Sequence, residues 1–373
     1  MKINIDKNII QEALQLVVNI SPKNTSEPII NNVLIEAENG LFTIKATNYD
    51  HYFCGSFPCE VIQSGKTCIN TLKLANLVRE FRTSKVHIET TQHNWVLLTC
   101  GPSVIKLPEI EPSLFPNIEF PELNLTFQIP GSILKNAIDR TFFSIGENQS
   151  RKNLMGLNLK ATLGNKIVWT GADAFKISQY VTADLDLADK KADIIIPKTS
   201  LMVIKKILDF RATEVSISFN ENTFQVFSDQ IRFKTRLIEV DFPNLSTLID
   251  TTGPIQLELP KSELINAVRI LYRVTEDDPN ASMKLTLNEG KLMIEIQKQP
   301  HGEGNDEIIC DYVGETVKIG INILFFLECI QAFENVSDEM IILNFSNALS
   351  PLLLRSPSLE NFRVILMPVK LVW

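Results

Sequence analysis

The sequence "LTFQIPGSILKNAIDRTFFSIG", from Leu125 to Gly146, has a pattern that occurs three times in the chain. A short stretch of alternating apolar and polar residues ends at proline or aspartate, and an amphipathic helix with alanine near its centre follows. The same order is found in "MKINIDKNIIQEALQLVVNIS" and in "IQLELPKSELINAVRILYRV". The copies are about 125 to 130 residues apart, which predicts tandem copies of one structural unit.

Each copy continues with a hairpin and then with a second strand–helix unit. The hairpin turns contain Asn39-Gly40, Gly164-Asn165 and Glu289-Gly290, which suit a backbone with positive φ. The second units are "TCINTLKLANLVREFR", "DIIIPKTSLMVIKKILDF" and "TVKIGINILFFLECIQAF", each followed by more alternating sequence. We therefore predict an α+β protein of three tandem similar domains, each made of two strand–helix–strands halves.

Two prolines mark the joints between the copies. "LFPNI" at Leu114–Ile118 and "DFPNL" at Asp241–Leu245 stand just before the next copy begins, and proline favours extended or turning backbone. The predicted domains are residues 1–121, 122–250 and 251–373. Chance periodicity in a β-rich chain is the alternative, but six strand–helix units in one order with matching joints favour a true repeat.

The composition sets limits on the class of protein. Hydrophobic residues make up 45% of the 373 residues, which is enough to form full cores. No run of about 18 apolar residues is present and "MKINIDKN" lacks a signal peptide, so we expect a cytoplasmic protein without membrane contact. The six cysteines have no Cys-x-x-Cys spacing and are expected to be buried or free thiols, not metal ligands.

The distribution of charge is more informative than its sum. The formal net charge of −8 alone argues against binding to nucleic acid. However, helices predicted at 7–19, 71–82, 131–145, 198–210, 261–274 and 322–334 carry twelve basic and seven acidic residues, a net charge of +5. If these helices share one surface, that surface suits DNA phosphates. The alternative, that lysine and arginine are simply good helix formers with solvated tips, stays open on counts alone.

No motif for catalysis is present in the sequence. We find no phosphate-binding Gly-x-x-x-x-Gly-Lys loop, no Gly-x-Gly-x-x-Gly after a strand, no His-Glu-x-x-His and no Gly-x-Ser-x-Gly. His87 and His93 fit solvent-facing strand positions better than metal ligands, and Asp173 fits a turn or pocket wall better than a catalytic acid. The sequence predicts a protein that is not an enzyme and needs no cofactor.

The repeats, the joints and the end of the chain together resemble one known family. The chain ends "FRVILMPVKLVW", in which Met-Pro-x-basic-Leu is a strong signature. Three earlier segments have the order and spacing that this family shows: Phe115-Pro116-Asn117, Leu154-Met155-Gly156 and Gly171-Ala172-Asp173. Over essentially its whole length, the sequence resembles the bacterial DNA polymerase III beta subunit, the replicative sliding clamp.

The resemblance implies a homodimer that closes head to tail into a ring of six domains, with helices lining the hole and strands forming the outer wall. Such a ring encircles double-stranded DNA without sequence preference, is opened by an ATP-driven clamp loader and has no catalytic activity of its own. The dimer interface would join Ile105 and Leu107 to Leu271 and Val274. The residues facing DNA would be Lys7, Lys23, Lys73, Arg79, Arg82, Lys135, Arg140, Lys198, Lys205, Lys206, Lys261 and Arg269.

The resemblance also implies a pocket between the second and third copies that binds short linear peptides. Its occupants would be the catalytic subunit of the replicative polymerase, the clamp loader and other proteins with a clamp-binding motif. The pocket residues would be Leu154, Ala172, Phe175, Lys176, Ile177, Pro243, Thr247, Leu248, Asn322, Phe325, Ile365, Leu366, Met367, Pro368 and Val369. For Val364 to Leu366, an ordinary buried strand is an equally good interpretation.

The sequence departs from the common family pattern in three places. Ala174-Phe175-Lys176 stands where many relatives have Gly-His-Arg, which should change the shape and hydrogen bonding of the pocket. Lys23-Asn24 stands where relatives often have arginine, and Val372-Trp373 extends the usual end. Two other hypotheses remain besides the clamp: a monomeric β-rich scaffold that uses the same pocket, and an enzyme whose site has no recognisable motif.

Overall fold

The computed structural model describes residues 1–22, 25–123, 125–162, 165–182, 191–211, 214–250, 252–298 and 302–370. The helices in these ranges are α1 (Lys7–Val17), α2 (Thr71–Glu80), α3 (Gly131–Thr141), α4 (Lys198–Arg211), α5 (Ser246–Ile249), α6 (Lys261–Thr275) and α7 (Ile323–Gln331).

The strands of the first part of the chain are β1 (Lys2–Asp6), β2 (Asn32–Glu38), β3 (Leu41–Thr47), β4 (His51–Pro58), β5 (Glu60–Gln63), β6 (Gly65–Asn70), β7 (Lys85–Thr91), β8 (Trp95–Cys100), β9 (Ser103–Pro108) and β10 (Leu125–Pro130). The middle part contributes β11 (Gly156–Thr162), β12 (Lys166–Ala172), β13 (Lys176–Thr182), β14 (Ala192–Pro197), β15 (Glu214–Phe219), β16 (Thr223–Ser228) and β17 (Ile231–Arg236). The last part contributes β18 (Ile255–Pro260), β19 (Ser282–Asn288), β20 (Lys291–Lys298), β21 (Gly302–Ile309), β22 (Val317–Asn322), β23 (Met340–Phe345), β24 (Leu352–Arg355) and β25 (Phe362–Leu366).

All six predicted helices are present and begin within one residue of the predicted start. Asp6, Asn70 and Asn322 cap α1, α2 and α7, each accepting a hydrogen bond of 2.8–3.0 Å from a backbone N–H of the first turn. The central alanines Ala13 and Ala137 are fully buried, so a small side chain lets each helix lie close to its neighbours. The repeated helix pattern is therefore confirmed.

The hairpin turns have the predicted backbone. Asn39 and Gly40 have φ angles of 53° and 77°, and Gly290 has 76°. Asn165 has a φ of 54°, whereas Gly164 lies outside the described residues. These positive angles fit the asparagine and glycine that the sequence supplies there.

The chain divides into two compact units. Unit 1 comprises Met1–Lys135 and Thr199–Glu239. It contains a five-stranded antiparallel sheet in the order β5-β1-β7-β8-β9 and an eight-stranded one in the order β10-β15-β16-β17-β4-β3-β2-β6. In the larger sheet β17 pairs with β4, with Phe233 opposite Phe53, so strands of the first and second repeats share one sheet.

Unit 2 comprises Asn136–Lys198 and the described part of 240–373. Its eight-stranded sheet has the order β14-β11-β12-β13-β25-β24-β23-β18, and its four-stranded sheet the order β21-β20-β19-β22. The pairing of β13 with β25 joins the second repeat to the third, with Ile177 opposite Ile365. The division between the units falls within α3 and α4, so the compact units differ from the sequence repeats because two sheets continue from one repeat into the next.

Within the described ranges, no helix is both long and apolar enough to cross a membrane.

Candidate functional site

An apolar cluster lies in unit 2 where the second and third repeats meet. Its buried members are Leu154, Ala172, Ile177, Ile249, Leu353 and Ile365, and the half-buried Phe242, Leu245 and Leu248 pack against them. Strand register explains part of the cluster, because Ile177 of β13 and Ile365 of β25 are direct cross-strand partners. The Phe-Pro-Asn joint and α5 supply Phe242, Leu245, Leu248 and Ile249, so residues far apart in sequence form one apolar wall.

A cavity of 520 Å³ lies beside this cluster and shares Leu154 with it. Phe175 and Phe325 stack at the cavity with ring centroids 5.3 Å apart and an interplanar angle of 28°. Phe175 is 48% exposed, so part of this aromatic residue is accessible to a ligand. The cavity therefore combines an aromatic surface with charged groups, an arrangement that differs from the apolar cluster next to it.

The charged part of the cavity is centred on Lys176, whose side chain is 6% exposed. Its Nζ lies 3.0 Å from Asp173 Oδ2 and 3.0 Å from Glu328 Oε2, and 4.4 Å from the centroid of the Phe325 ring. Burial opposes the charge, but the two carboxylates outweigh it, so the pKa of Lys176 is raised. Lys176 is thus held as a cation by the protein itself.

The turn before Lys176 is fixed by Asp173. Asp173 Oδ1 accepts hydrogen bonds of 2.7 Å from the backbone N–H groups of Phe175 and Lys176. The backbone N–H of Met367 donates to the carbonyl of Phe175 at 2.8 Å, which ties the chain end to the same turn. This arrangement places Asp173 in a turn at the cavity wall, as the sequence predicted.

The structure brings together many of the predicted pocket residues, in two adjacent groups. Leu154, Ala172, Ile177, Leu248 and Ile365 are in the apolar cluster, whereas Phe175, Lys176 and Phe325 line the charged cavity.

The remaining predicted pocket residues have other surroundings. Pro243 lines a separate depression of 390 Å³ with Leu245, and Leu366 is buried opposite Lys176 in the β13–β25 pair. Asn322 is buried, and its side chain caps α7 and donates to the Pro279 carbonyl at 2.8 Å, so its polar atoms are used within the fold. Thr247 is exposed, and Met367, Pro368 and Val369 are half-buried.

The sequence did not identify several members of the site. Phe242 and Leu245 belong to the second joint and could have been included from their apolar character. Glu328 could not have been identified from sequence, because nothing near it connects a carboxylate on α7 with a turn more than 150 residues earlier. In the tail, β25 is a buried strand, and its Ile365 is also in the apolar cluster.

Many predicted DNA-facing residues have partners within the fold. Arg79, Lys135 and Arg269 form ion pairs with Glu80, Asp209 and Glu334. The Arg140 guanidinium lies over the rings of Tyr180 and Phe362, at 5.3 and 5.2 Å from their centroids. Lys206 donates to the carbonyl of Gln15 at 3.1 Å, and burial lowers its pKa.

Other predicted DNA-facing residues are in different settings. Lys73 and Arg82 are exposed and Lys205 is half-buried. Lys7, Lys198 and Lys261 donate to carbonyl groups at or just after helix ends, as described below. Lys23 lies outside the described residues.

Two of the outer strands of these sheets lie near the predicted interface residues. β9 ends the five-stranded sheet of unit 1 and β21 ends the four-stranded sheet of unit 2. Helix α6 lies against β21 at two glycines: a Cβ at Gly302 or Gly304 would be 3.0 Å from Val274 Cγ1 or Leu271 Cδ2. Of the predicted interface residues, Leu107 and Leu271 are buried within their own units.

The apolar side chains that are exposed to solvent near β9 and β21 are not the buried Leu107 and Leu271. Val274 is 37% exposed and Ile105 half-buried, and the exposed apolar side chains beside them are Val104, Ile270 and Ile309.

A buried Ser–His pair is the arrangement in unit 1 that most resembles a catalytic one. His51 Nε2 lies 3.0 Å from Ser200 Oγ, which is 2.7 Å from Thr235 Oγ1. Ser200 is completely buried, so a substrate has no access to it. Within the described residues, no three His, Cys, Asp or Glu side chains are placed to hold a metal ion.

Comparison with known proteins gives one consistent family. Residues 1–119, 128–244 and 247–370 match the models of the N-terminal, central and C-terminal domains of the DNA polymerase III beta subunit. The beta sliding clamp of Chlamydia muridarum is 25% identical, covering 100% of this chain and 99% of that protein. The beta sliding clamp of Bacillus subtilis is 23% identical, covering 99% of this chain and 100% of that protein.

Solved structures agree with this fold. The sliding clamp of Bartonella birtlesii bound to griselimycin superposes with a TM-score of 0.91 at 23% identity, covering 100% of both chains. The DNA polymerase sliding clamp of Bacillus subtilis gives a TM-score of 0.89 at 21% identity, covering 100% of this chain and 99% of that one.

Proposed function

The chain belongs to the DNA polymerase III beta subunit family, the replicative sliding clamps, and we propose from this membership that two copies close into a ring around double-stranded DNA. The ring slides without sequence preference and tethers the catalytic subunit of the replicative polymerase. It has no catalytic activity of its own. The tandem order of three clamp domains is the observation that carries this proposal.

The position of β9 and β21 at the ends of their sheets supports a head-to-tail closure. An unpaired edge strand exposes N–H and C=O groups that can pair with another chain, and two different edges that pair with each other give two equivalent interfaces. β9 has an exposed Lys106, and β21 has exposed Glu303 and Glu307. These opposite charges favour β9 of one copy next to β21 of the other, with Ile105 and Val274 nearby. The domain limits for this arrangement are 1–121, 122–250 and 251–373.

The basic residues of the helices support contact with DNA phosphates. The helices carry a net positive charge although the whole chain is acidic, so a surface formed by them would attract DNA while the rest repels it. Internal ion pairs at Arg79, Lys135 and Arg269 reduce this attraction. Weak contact fits a ring that must slide, because each tight phosphate contact adds to affinity and salt dependence.

We propose that the apolar cluster and the adjoining cavity bind partner peptides. Leu154, Ile177, Leu248 and Ile365 form the apolar wall for bulky side chains of an extended peptide. Phe175, which is 48% exposed, supplies aromatic surface at the cavity. The polymerase, the clamp loader and other proteins with a clamp-binding motif would compete for this site.

The native mass in solution tests the ring directly. Light scattering after size exclusion at low micromolar concentration should give the mass of two chains of 42.1 kDa each. A monomer at every concentration up to 100-fold higher would contradict the ring and favour the scaffold hypothesis. That hypothesis keeps the peptide site but has no requirement for closed DNA.

A further inference from the structure

One lysine in each repeat begins a helix directly after a strand. Lys7, Lys198 and Lys261 are the first residues of α1, α4 and α6. Each of them donates its backbone N–H to the chain that follows the other helix of its repeat. The acceptors are the carbonyl groups of Ser84, Met155 and Glu339, at 2.7, 3.1 and 2.8 Å respectively.

The ammonium groups of two of these lysines reach the end of the other helix. Lys7 Nζ donates to the carbonyl groups of Arg79 and Phe81, at 3.1 and 2.5 Å, where α2 ends. Lys261 Nζ donates to those of Glu334 and Val336, at 3.4 and 2.5 Å, just beyond the end of α7. The first and third repeats therefore share the same contact, which was not evident from the sequence.

The second repeat has a similar contact, but here the second helix supplies the lysine and the acceptor follows the first helix. Lys198 belongs to its second helix, and its Nζ donates to the carbonyl of Ile145 and to Glu147 Oε1, both at 2.9 Å. Ile145 follows α3 and its short 3-10 extension at Phe142–Ser144. In each repeat, then, one lysine joins the start of one helix to the end of the other or to the turn that follows that end.

The physical reason is the unsatisfied carbonyl groups at a helix end. The last four carbonyls of a helix lack partners within the helix, and the end carries about half a negative charge. An ammonium with two protein acceptors satisfies carbonyl groups at or just after that end and has only one N–H donor left. Such a lysine contributes less to a phosphate contact, because two of its N–H donors are used within the fold and the helix end offsets part of its charge.

We propose that Lys7, Lys198 and Lys261 are clasps that join the two helices of each repeat, and are not contacts to DNA. Arg82, just after α2, is the contrasting residue: it is exposed, and no ion pair or side-chain hydrogen bond is found for it within the described residues. The part of the proposal that concerns DNA rests on the proposed function. The clasp itself does not, because it is a property of each repeat.

The test compares Lys7→Met with Arg82→Met in the full chain, using two measurements. The first is the melting temperature. The second is the salt dependence of binding to a fluorescein-labelled 25-base-pair duplex of arbitrary sequence. Lys7→Met should lower the melting temperature by about 2–4 °C and leave the slope of log K against log salt unchanged. Arg82→Met should leave the melting temperature unchanged and reduce the slope by about one.

Further variants keep the test decisive if Lys7→Met does not fold. Lys7→Arg keeps a donor and a charge and should recover most of the stability, and Lys261→Met tests the same clasp in unit 2. A slope reduced by Lys7→Met or Lys261→Met with no change in melting temperature would overturn the proposal. If the wild-type chain does not bind the duplex at any salt concentration, the proposed function fails, and the clasp is still judged by the melting temperatures.

Discussion

Replacing Lys176 by alanine should destabilise unit 2 strongly, because it leaves two carboxylates facing each other without their cation. Lys176 is 6% exposed, and Asp173 and Glu328 are 17% and 34% exposed. Breaking a buried ion pair by removing one partner costs about 3–5 kcal/mol. The partial exposure of both carboxylates lets water screen them, so we expect a loss of about 2–3 kcal/mol in the free energy of unfolding.

Urea denaturation monitored by tryptophan fluorescence measures this loss. Trp169 is fully buried on β12 and reports on unit 2, where Lys176 lies. The urea midpoint should fall by about 1 M for Lys176→Ala. Lys160→Ala is a matched control in the same sheet, since Lys160 is 3.2 Å from Asp193 and both are at least half exposed. Its expected loss is about 0.5 kcal/mol or less.

A triple variant separates the ion pair from simple loss of packing. Lys176→Met combined with Asp173→Asn and Glu328→Gln removes the cation and both carboxylate charges, and should recover much of the stability. The amide of Asn at 173 can still accept from the two backbone N–H groups of the turn. A Lys176→Ala variant that behaves like Lys160→Ala would refute the view that this buried cation holds the turn to α7.

Three further outcomes follow from the same structure. Burial lowers the pKa of His51 below its usual 6.5, so the unfolded chain binds a proton that the folded chain resists. The urea midpoint should therefore fall more between pH 7.5 and 5.5 in the wild type than in His51→Gln. Met367→Ala should weaken binding of a peptide from the cognate polymerase about tenfold in fluorescence anisotropy, since a half-buried side chain of the predicted pocket is lost. The double variant Lys205→Glu, Lys206→Glu should impair loading on DNA at physiological salt while peptide affinity stays the same; normal loading would remove these residues from the DNA surface.

The helices were predictable from sequence because each follows a strand and begins at a cap or just after a proline, with a strong apolar period. Asp6, Asn70 and Asn322 supply caps that the structure uses. Helix α5 was not predicted, since four residues at Ser246–Ile249 are too short to show a period. The two compact units were also not predicted, because the repeats indicate domains but not which sheets continue across their joints.

The candidate site was predictable only in part, for reasons that concern distance along the chain. Ile177 and Ile365 lie in alternating strands whose inward faces can be identified from sequence. The role of Lys176 could not be identified, because its partner Glu328 lies on α7 and no local pattern connects them. Lys7 and Lys261 were assigned to DNA from their charge and from the family resemblance, whereas their acceptors are backbone carbonyls, which the sequence does not distinguish.

The most direct test of the ring is its retention on closed DNA. The chain is loaded by its cognate loader with ATP onto nicked circular DNA, separated from free protein, and the DNA is then linearised with a restriction enzyme. A ring held by topology should stay on the circle at salt concentrations that abolish simple phosphate contacts, and should leave within minutes once the DNA has ends. Equal loss from circular and linear DNA would contradict encirclement and leave the peptide-binding scaffold as the better account.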